Sequence, residues 1–185
     1  MELNYTERLI RFNSSEKYKK EMEFLFDLIK PREGQRILDY GCGTGTLINF
    51  IKEKCNVEIS GFDVQYLGTG EIPDWYINNL SDSYDTVYFM HSLAHIVDAE
   101  SVLEKVKKYL KVSGKIVVIT PNRMWDIEMK PLSKNYNPDT TVVKHFTPEE
   151  LEVFFTDSGF KIELSGQFGK LLNGYNERIF LVATL

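Results

Sequence analysis

Three glycines alternate with other residues in the run Asp39-Tyr40-Gly41-Cys42-Gly43-Thr44-Gly45, and an acid, Asp63, follows Gly43 by 20 residues. Glycine has no Cβ, so such a run lets the backbone come close to a ligand. A carboxylate at that distance, closing the next strand, is placed to accept hydrogen bonds from both hydroxyls of a ribose. The pattern therefore points to a ligand that carries an adenosine. The spacing is GxGxG. It is not the GxGxxG of a dinucleotide fingerprint, because Thr46 holds the last position, and no GK[ST] follows as in a P-loop. A nucleotide-dependent oxidoreductase is disfavoured on that ground. The bland alternatives are an unliganded strand–helix turn and, for Asp63, a cap or turn acid. Three glycines in one turn weaken both neighbouring elements and so need a reason.

The chain has three histidines, His91, His95 and His145. Imidazole titrates near neutral pH, so each is a candidate general base or substrate-facing group, with a packing role as the alternative. The spacing of four between His91 and His95 could share a metal, with His145 or Asp98 as third ligand. The glutamate of an HExxH site is absent and the segment follows a strand, so no metal is expected. Cys42 and Cys55 form neither a CxxC pair nor a disulfide framework, and Cys42 reads as a small filler within the loop. Arg123, Met124, Trp125 and Tyr136 form an aromatic stretch after the fifth strand. Trp125 and Tyr136 offer flat apolar walls to a substrate. Tyr5, Phe12 and Tyr18 could close over the loop as a lid, with Tyr18 in the core as the alternative. Glu149, Glu150 and Glu152 read as a solvated first helical turn.

The elements that must position these groups alternate between helix and strand. Tyr18, Met22, Leu25, Phe26 and Ile29 form one stripe of a helix over 15–30, stopped by Pro31 and Gly34. The first dozen residues read as a loosely packed cap. Strands are expected over 36–40, 57–62, 84–90 and 115–120, with a short one at 75–77. Leu47, Ile48 and Ile51 mark the helix after the glycine loop. Asp98 caps a helix with the stripe Val102, Leu103, Val106, Tyr109 and Leu110, ended by Gly114. Residues 121–146 read as a long loop. Thr147-Pro148-Glu149-Glu150 is a capping box, and Leu151, Phe154 and Phe155 follow it up to Gly159. Two last strands fall at 161–164 and 178–184. The pattern predicts an open α/β fold with a mainly parallel sheet, and the carboxyl edge of such a sheet is where ligands bind.

With 185 residues, 43% apolar and 26% charged, the chain fits one globular domain and is too apolar for disorder as its main state. No apolar run reaches the roughly 18 residues of a membrane span, and the polar start does not read as a signal peptide. A net charge of -5 argues against a nucleic-acid backbone as partner. The expectation is a reduced, cytoplasmic domain acting on a small molecule, with neither nucleic acid nor membrane as partner. The oligomeric state is not encoded in any of these features.

The stretches ILDYGCGTGTLINFI, EISGFD, YDTVYFMHSLAHI, VLEKVKKYLKVSGKIVVITPN and HFTPEELEVFFTDSGF resemble the class I S-adenosylmethionine-dependent methyltransferases. HSLAHI and GKIVVITPN look most like the small-molecule and quinone-biosynthesis branch. The resemblance runs from about residue 30 to the end. It implies a Rossmann-like seven-stranded, mainly parallel sheet with helices on both faces and a reversed last strand. Within a single domain, residues 1–30 would be an N-terminal cap and helix, 31–120 the cofactor half and 121–185 the substrate half. The cofactor implied is S-adenosyl-L-methionine. By matching position, Asp39, Gly41, Cys42, Gly43 and Gly45 would line its methionine moiety and adenosine backbone, and Asp63 would bind the ribose. Met90 and His91 would border the sulfonium. The stretch from Asp63 to Tyr84 is shorter than in typical members, which trims the adenine side. Asn78, Asn79 and Leu80 fall where the family builds its adenine pocket. His145 matches a position where members often carry a histidine facing the substrate cleft. A fold that has lost its cofactor is the non-catalytic alternative. The [DNS]PP[YFW] motif of nucleic-acid amino-methylating members is replaced here by MHSLAH.

Overall fold

The computed structural model describes residues 5–65, 67, 71–81, 83–129, 141–172 and 175–185. Its strands form a seven-stranded, mostly parallel sheet in the order β3-β2-β1-β4-β5-β7-β6, with the last strand, β7, reversed. The strands are β1 Arg36–Tyr40, β2 Glu58–Phe62, β3 Tyr76–Ile77, β4 Tyr84–Met90, β5 Leu110–Pro121, β6 Lys161–Leu172 and β7 Tyr175–Thr184. The helices are α1 Tyr5–Asn13, α2 Glu16–Ile29, α3 Thr46–Lys54, α4 Ala99–Lys107 and α5 Pro148–Asp157. The chain divides into two compact units, 1–80 and 81–185.

In the first unit, Ser15 caps α2 by accepting the Tyr18 N–H at 3.2 Å, and Tyr18, Met22 and Leu25 bury one face of the helix. β1 is buried from Ile37 to Tyr40, as a strand covered on both faces must be. It pairs in parallel with β2 from Arg36↔Glu58 to Tyr40↔Phe62, so the two strands end level. That register brings the glycine loop after Tyr40 and the acid after Phe62 to the same sheet edge. Among the described residues, no helix lies between β2 and β4, which is the shortened side the sequence indicates.

In the second unit, β4 and β5 pair in parallel, while β7 runs antiparallel to both β5 and β6. Val87, Tyr88, Phe89 and residues 116–119 are fully buried along this part of the sheet. Asp98 caps α4, and Thr147 with Glu150 forms the complete capping box of α5 behind Pro148.

The structure departs from the sequence reading at five places. Helix α4 ends at Lys107, and Leu110 opens β5 by pairing with Tyr84. Its spacing of four from Val106 suits a helix equally well, which is why the stripe absorbed it. Gly114 lies inside β5, not at a helix end. The register slips between Tyr84 and Thr86, so residues 111–114 bulge, and Leu110 folds back over Gly114, where a Cβ would meet its Cγ at 2.8 Å. The stretch read as a long loop contains a short π-helix at Met124–Met129. The last two strands are 12 and 10 residues long, longer than their apolar cores, because an antiparallel pair extends through polar positions that face water. The first residues are helical, as α1.

Candidate functional site

Gly41, Gly43 and Gly45 all take positive φ, at +82°, +51° and +74°. Side chains rarely adopt such angles, so three glycines are what this turn requires. The N–H groups of Gly41 and Cys42 donate to the Phe62 carbonyl at 2.7 and 3.1 Å, which ties the loop to the end of β2. Gly61 provides the close approach behind it: a Cβ there would lie 2.5 Å from Ile48 Cδ1 and 2.9 Å from Cys42 Sγ. Asp63 accepts the Gly43 N–H on Oδ2 at 2.8 Å and the Val64 N–H on Oδ1 at 2.7 Å. Each carboxylate oxygen has a further lone pair, so this side chain is oriented by the backbone and can still accept two hydroxyls. Tyr76 donates its hydroxyl to the Asp63 carbonyl at 3.0 Å.

Asp39 is the next-to-last residue of β1, just before the loop. It is 2% exposed, and its Oδ1 has no hydrogen-bond partner among the described residues. Burial, and then the charge of Asp63, push its carboxyl up to about 8. Burial also drives the Cys42 thiol well up, helped by Asp39 and Asp63. A thiol held neutral in this way is a packing group, not a nucleophile. Tyr18 is raised by burial and by Asp39, Glu21 and Cys42. A buried carboxyl with an unsatisfied oxygen is costly, and a cationic group brought beside it would relieve that cost.

Four contacts at the loop go beyond the sequence reading. The Trp75 ring packs on Gly45, where any Cβ would collide with it, and Leu9 Cδ2 lies 3.2 Å from the Cβ position of Gly43. Asn13 Nδ2 donates to Thr44 Oγ1 at 2.9 Å, and Thr44 Oγ1 lies 2.9 Å from Thr46 Oγ1. The signal for Trp75 was present: a large aromatic in the shortened stretch after Asp63. Nothing in the local pattern marks Leu9 or Asn13, because their contacts come from the packing of α1. Phe12 and Tyr18 meet edge to face at 5.2 Å, with Tyr18 buried. Leu80 is buried, whereas Asn78 and Asn79 are exposed.

In the second unit, Met90 is buried at the end of β4, and His91 follows with φ +59°, its N–H donating to the Ile119 carbonyl at 2.9 Å. A histidine held in the left-handed region marks a place where the chain accepts local strain. His95 Nδ1 lies 2.9 Å from Thr141 Oγ1. His145 Nδ1 lies 3.4 Å from Asp126 Oδ2. Asn122 is fully buried; it donates to Gln167 Oε1 at 3.0 Å and accepts the Met124 N–H at 3.1 Å. Trp125 is buried, at 9% exposure. Tyr136 lies outside the described residues. Asp126 and Asn122 escaped the sequence reading, since an Asp and an Asn in an aperiodic stretch look like ordinary turn formers. Among the described residues, no three His, Cys, Asp or Glu side chains gather as a metal site.

A family model described as a methyltransferase domain matches residues 8–165. Phosphoethanolamine N-methyltransferase 1 of Arabidopsis thaliana is 28% identical in a match covering 49% of this chain and 21% of that protein. Ubiquinone biosynthesis O-methyltransferase of Idiomarina loihiensis is 30% identical, covering 49% of this chain and 44% of its own length. The match thus spans less than half of these relatives. The solved structure of a SAM-dependent methyltransferase from Aquifex aeolicus superposes with a TM-score of 0.70 over 98% of both chains at 13% identity.

Proposed function

Since the chain belongs to the class I S-adenosylmethionine-dependent methyltransferases, we propose that it transfers a methyl group from S-adenosylmethionine to an oxygen or nitrogen of a small-molecule acceptor. The observation that carries this reading is the loop itself. Asp63 is fixed by two backbone N–H groups with acceptor capacity left over, and beside it lies a buried Asp39 oxygen without a partner among the described residues. A ribose diol suits the first and an ammonium suits the second.

In this reading Gly41, Cys42, Gly43 and Gly45 bring the backbone close to the cofactor, and Asp63 takes its ribose. Asp39 faces its methionine portion, Asn78, Asn79 and Leu80 its adenine, and Met90 and His91 its sulfonium side. When bound, S-adenosylmethionine supplies a methyl carbon already activated for displacement. The work left to the chain is alignment, exclusion of water and removal of one proton from the acceptor. His91, His95 and His145 are the candidates for that proton, and Trp125 and Tyr136 for the walls of the acceptor site. Small acceptors are supported by the names of the relatives, phosphoethanolamine and ubiquinone-biosynthesis methyltransferases, and by a net charge of -5. We place the protein in the cytoplasm, in keeping with its two free cysteines; no described helix is long and apolar enough to cross a membrane.

The test is methyl transfer from radiolabelled S-adenosylmethionine to a panel of phenols, catechols and small amines, run beside tRNA, DNA and protein. The reading expects label in at least one small acceptor. Label confined to the macromolecules would overturn the acceptor class.

A further inference from the structure

His145 and Asp126 come from two segments that the backbone fastens together. Asn122 and Phe146 form an isolated parallel bridge, and the Arg123 N–H donates to the Phe146 carbonyl at 2.8 Å. Asn122 and Phe146 are both buried, at 0% and 1% exposure. The Asp126 N–H donates to the Asn122 carbonyl at 2.9 Å, so Asp126 rides on the same fastening. On the other side, Arg123 Nη1 reaches Glu150 Oε1 at 2.6 Å, and Glu150 closes the capping box with Thr147, two residues after His145. The two side chains therefore start from a frame pinned on both sides. They meet with Asp126 Oδ2 at 3.4 Å from His145 Nδ1. The carboxylate side chain is 11% exposed and the imidazole 30%, so the acid is inside and the ring reaches outward.

We propose that Asp126 is a positioning residue: it holds His145 in the tautomer and orientation of a general base for the methyl transfer, on whose assignment above this inference rests. A neutral imidazole with its proton on Nδ1, shared toward a carboxylate, presents Nε2 as the acceptor. The dyad performs a proton step alone. The O–H or N–H bond of the acceptor breaks, its electron pair stays on the heteroatom, and the proton passes to Nε2. That pair then forms the bond to the methyl carbon as the carbon–sulfur pair goes to sulfur, and the imidazolium later returns its proton to water. The 3.4 Å separation is long for a neutral hydrogen bond. It is an ion-pair distance, and charge on the ring strengthens the attraction.

The test reads the tautomer directly. Long-range proton–nitrogen spectra of the ¹⁵N-labelled full chain, recorded at about pH 8 where most imidazoles are neutral, resolve Nδ1–H from Nε2–H. With three histidines, His91→Gln, His95→Gln and His145→Gln assign every signal. The proposal expects His145 as Nδ1–H in the wild type, shifting to Nε2–H or a mixture in Asp126→Asn. A wild-type His145 in the Nε2–H form overturns it, and that result needs no variant to fold. An unchanged tautomer in a folded Asp126→Asn overturns it as well, with Asp126→Ala as the second variant if the first does not fold. Calorimetry with S-adenosylhomocysteine judges the methyltransferase reading separately, because a failed dyad leaves that binding in place.

Discussion

Asp63 has both carboxylate oxygens on backbone N–H groups, whereas an oxygen of Asp39 is buried without a partner among the described residues. The position of Asp63 at the loop's edge was legible in the sequence, since its distance from the glycines is a property of strand and helix lengths; its two backbone partners were not. Asp39 was legible only as a motif position, because an unsatisfied oxygen depends on what packs around it. Asp39 makes the sharper prediction. Its carboxyl titrates near 4 in an unfolded chain and is raised to about 8 in the folded one. Between those values the folded state holds a proton that the unfolded state has lost, so this group makes stability fall as pH rises from about 4 to about 8. Asp39→Asn removes that dependence. Its melting temperature without cofactor should exceed that of the wild type increasingly across this window, measured by scanning calorimetry at stepped pH. An ammonium bound at Asp39 favours its ionised form, so binding of S-adenosylhomocysteine below pH about 8 should release a proton. Calorimetric heats that do not vary with the ionisation enthalpy of the buffer would contradict this.

At the scale of elements, the parallel register of β1 and β2 sets the site, because both strands end level and deliver loop and acid together. β-branched and apolar runs announced these strands, as well as β4 and the core of β5. The signals failed where two periods coincide. Leu110 sits at helical spacing from Val106, and only the pairing with Tyr84 and the bulge over Gly114 decide that it is strand. The cover over the glycine loop was equally hidden, for it arises from α1 and from the turn before β3 meeting residues far off in sequence. Trp75 lies on Gly45, one of the glycines proposed to let the cofactor approach the backbone. Its emission should therefore change on addition of S-adenosylhomocysteine, and Trp75→Phe should abolish the change. A change that persists in that variant would assign the signal to Trp125 and show that Trp75 is no part of the cofactor's surroundings.

For the molecule as a whole, helix–strand alternation closing on a strand pair announced an open, mainly parallel α/β sheet, while its seven strands and reversed last strand were legible only through the family resemblance. The acceptor is not written in the fold, because one sheet supports many chemistries through the loops at its edge. The central claim is that the glycine loop and Asp63 together bind the cofactor. Titration calorimetry of S-adenosylhomocysteine into the wild type, Asp63→Asn and Asp63→Ala tests it most directly. Saturable binding to the wild type is expected, with a loss of about 1.5–3 kcal/mol in Asp63→Ala, the range for hydrogen bonds to a charged group. Asp63→Asn, whose amide oxygen still accepts one hydroxyl, should fall between the two. Absence of any binding heat with the wild type, or equal affinities in all three proteins, would contradict it.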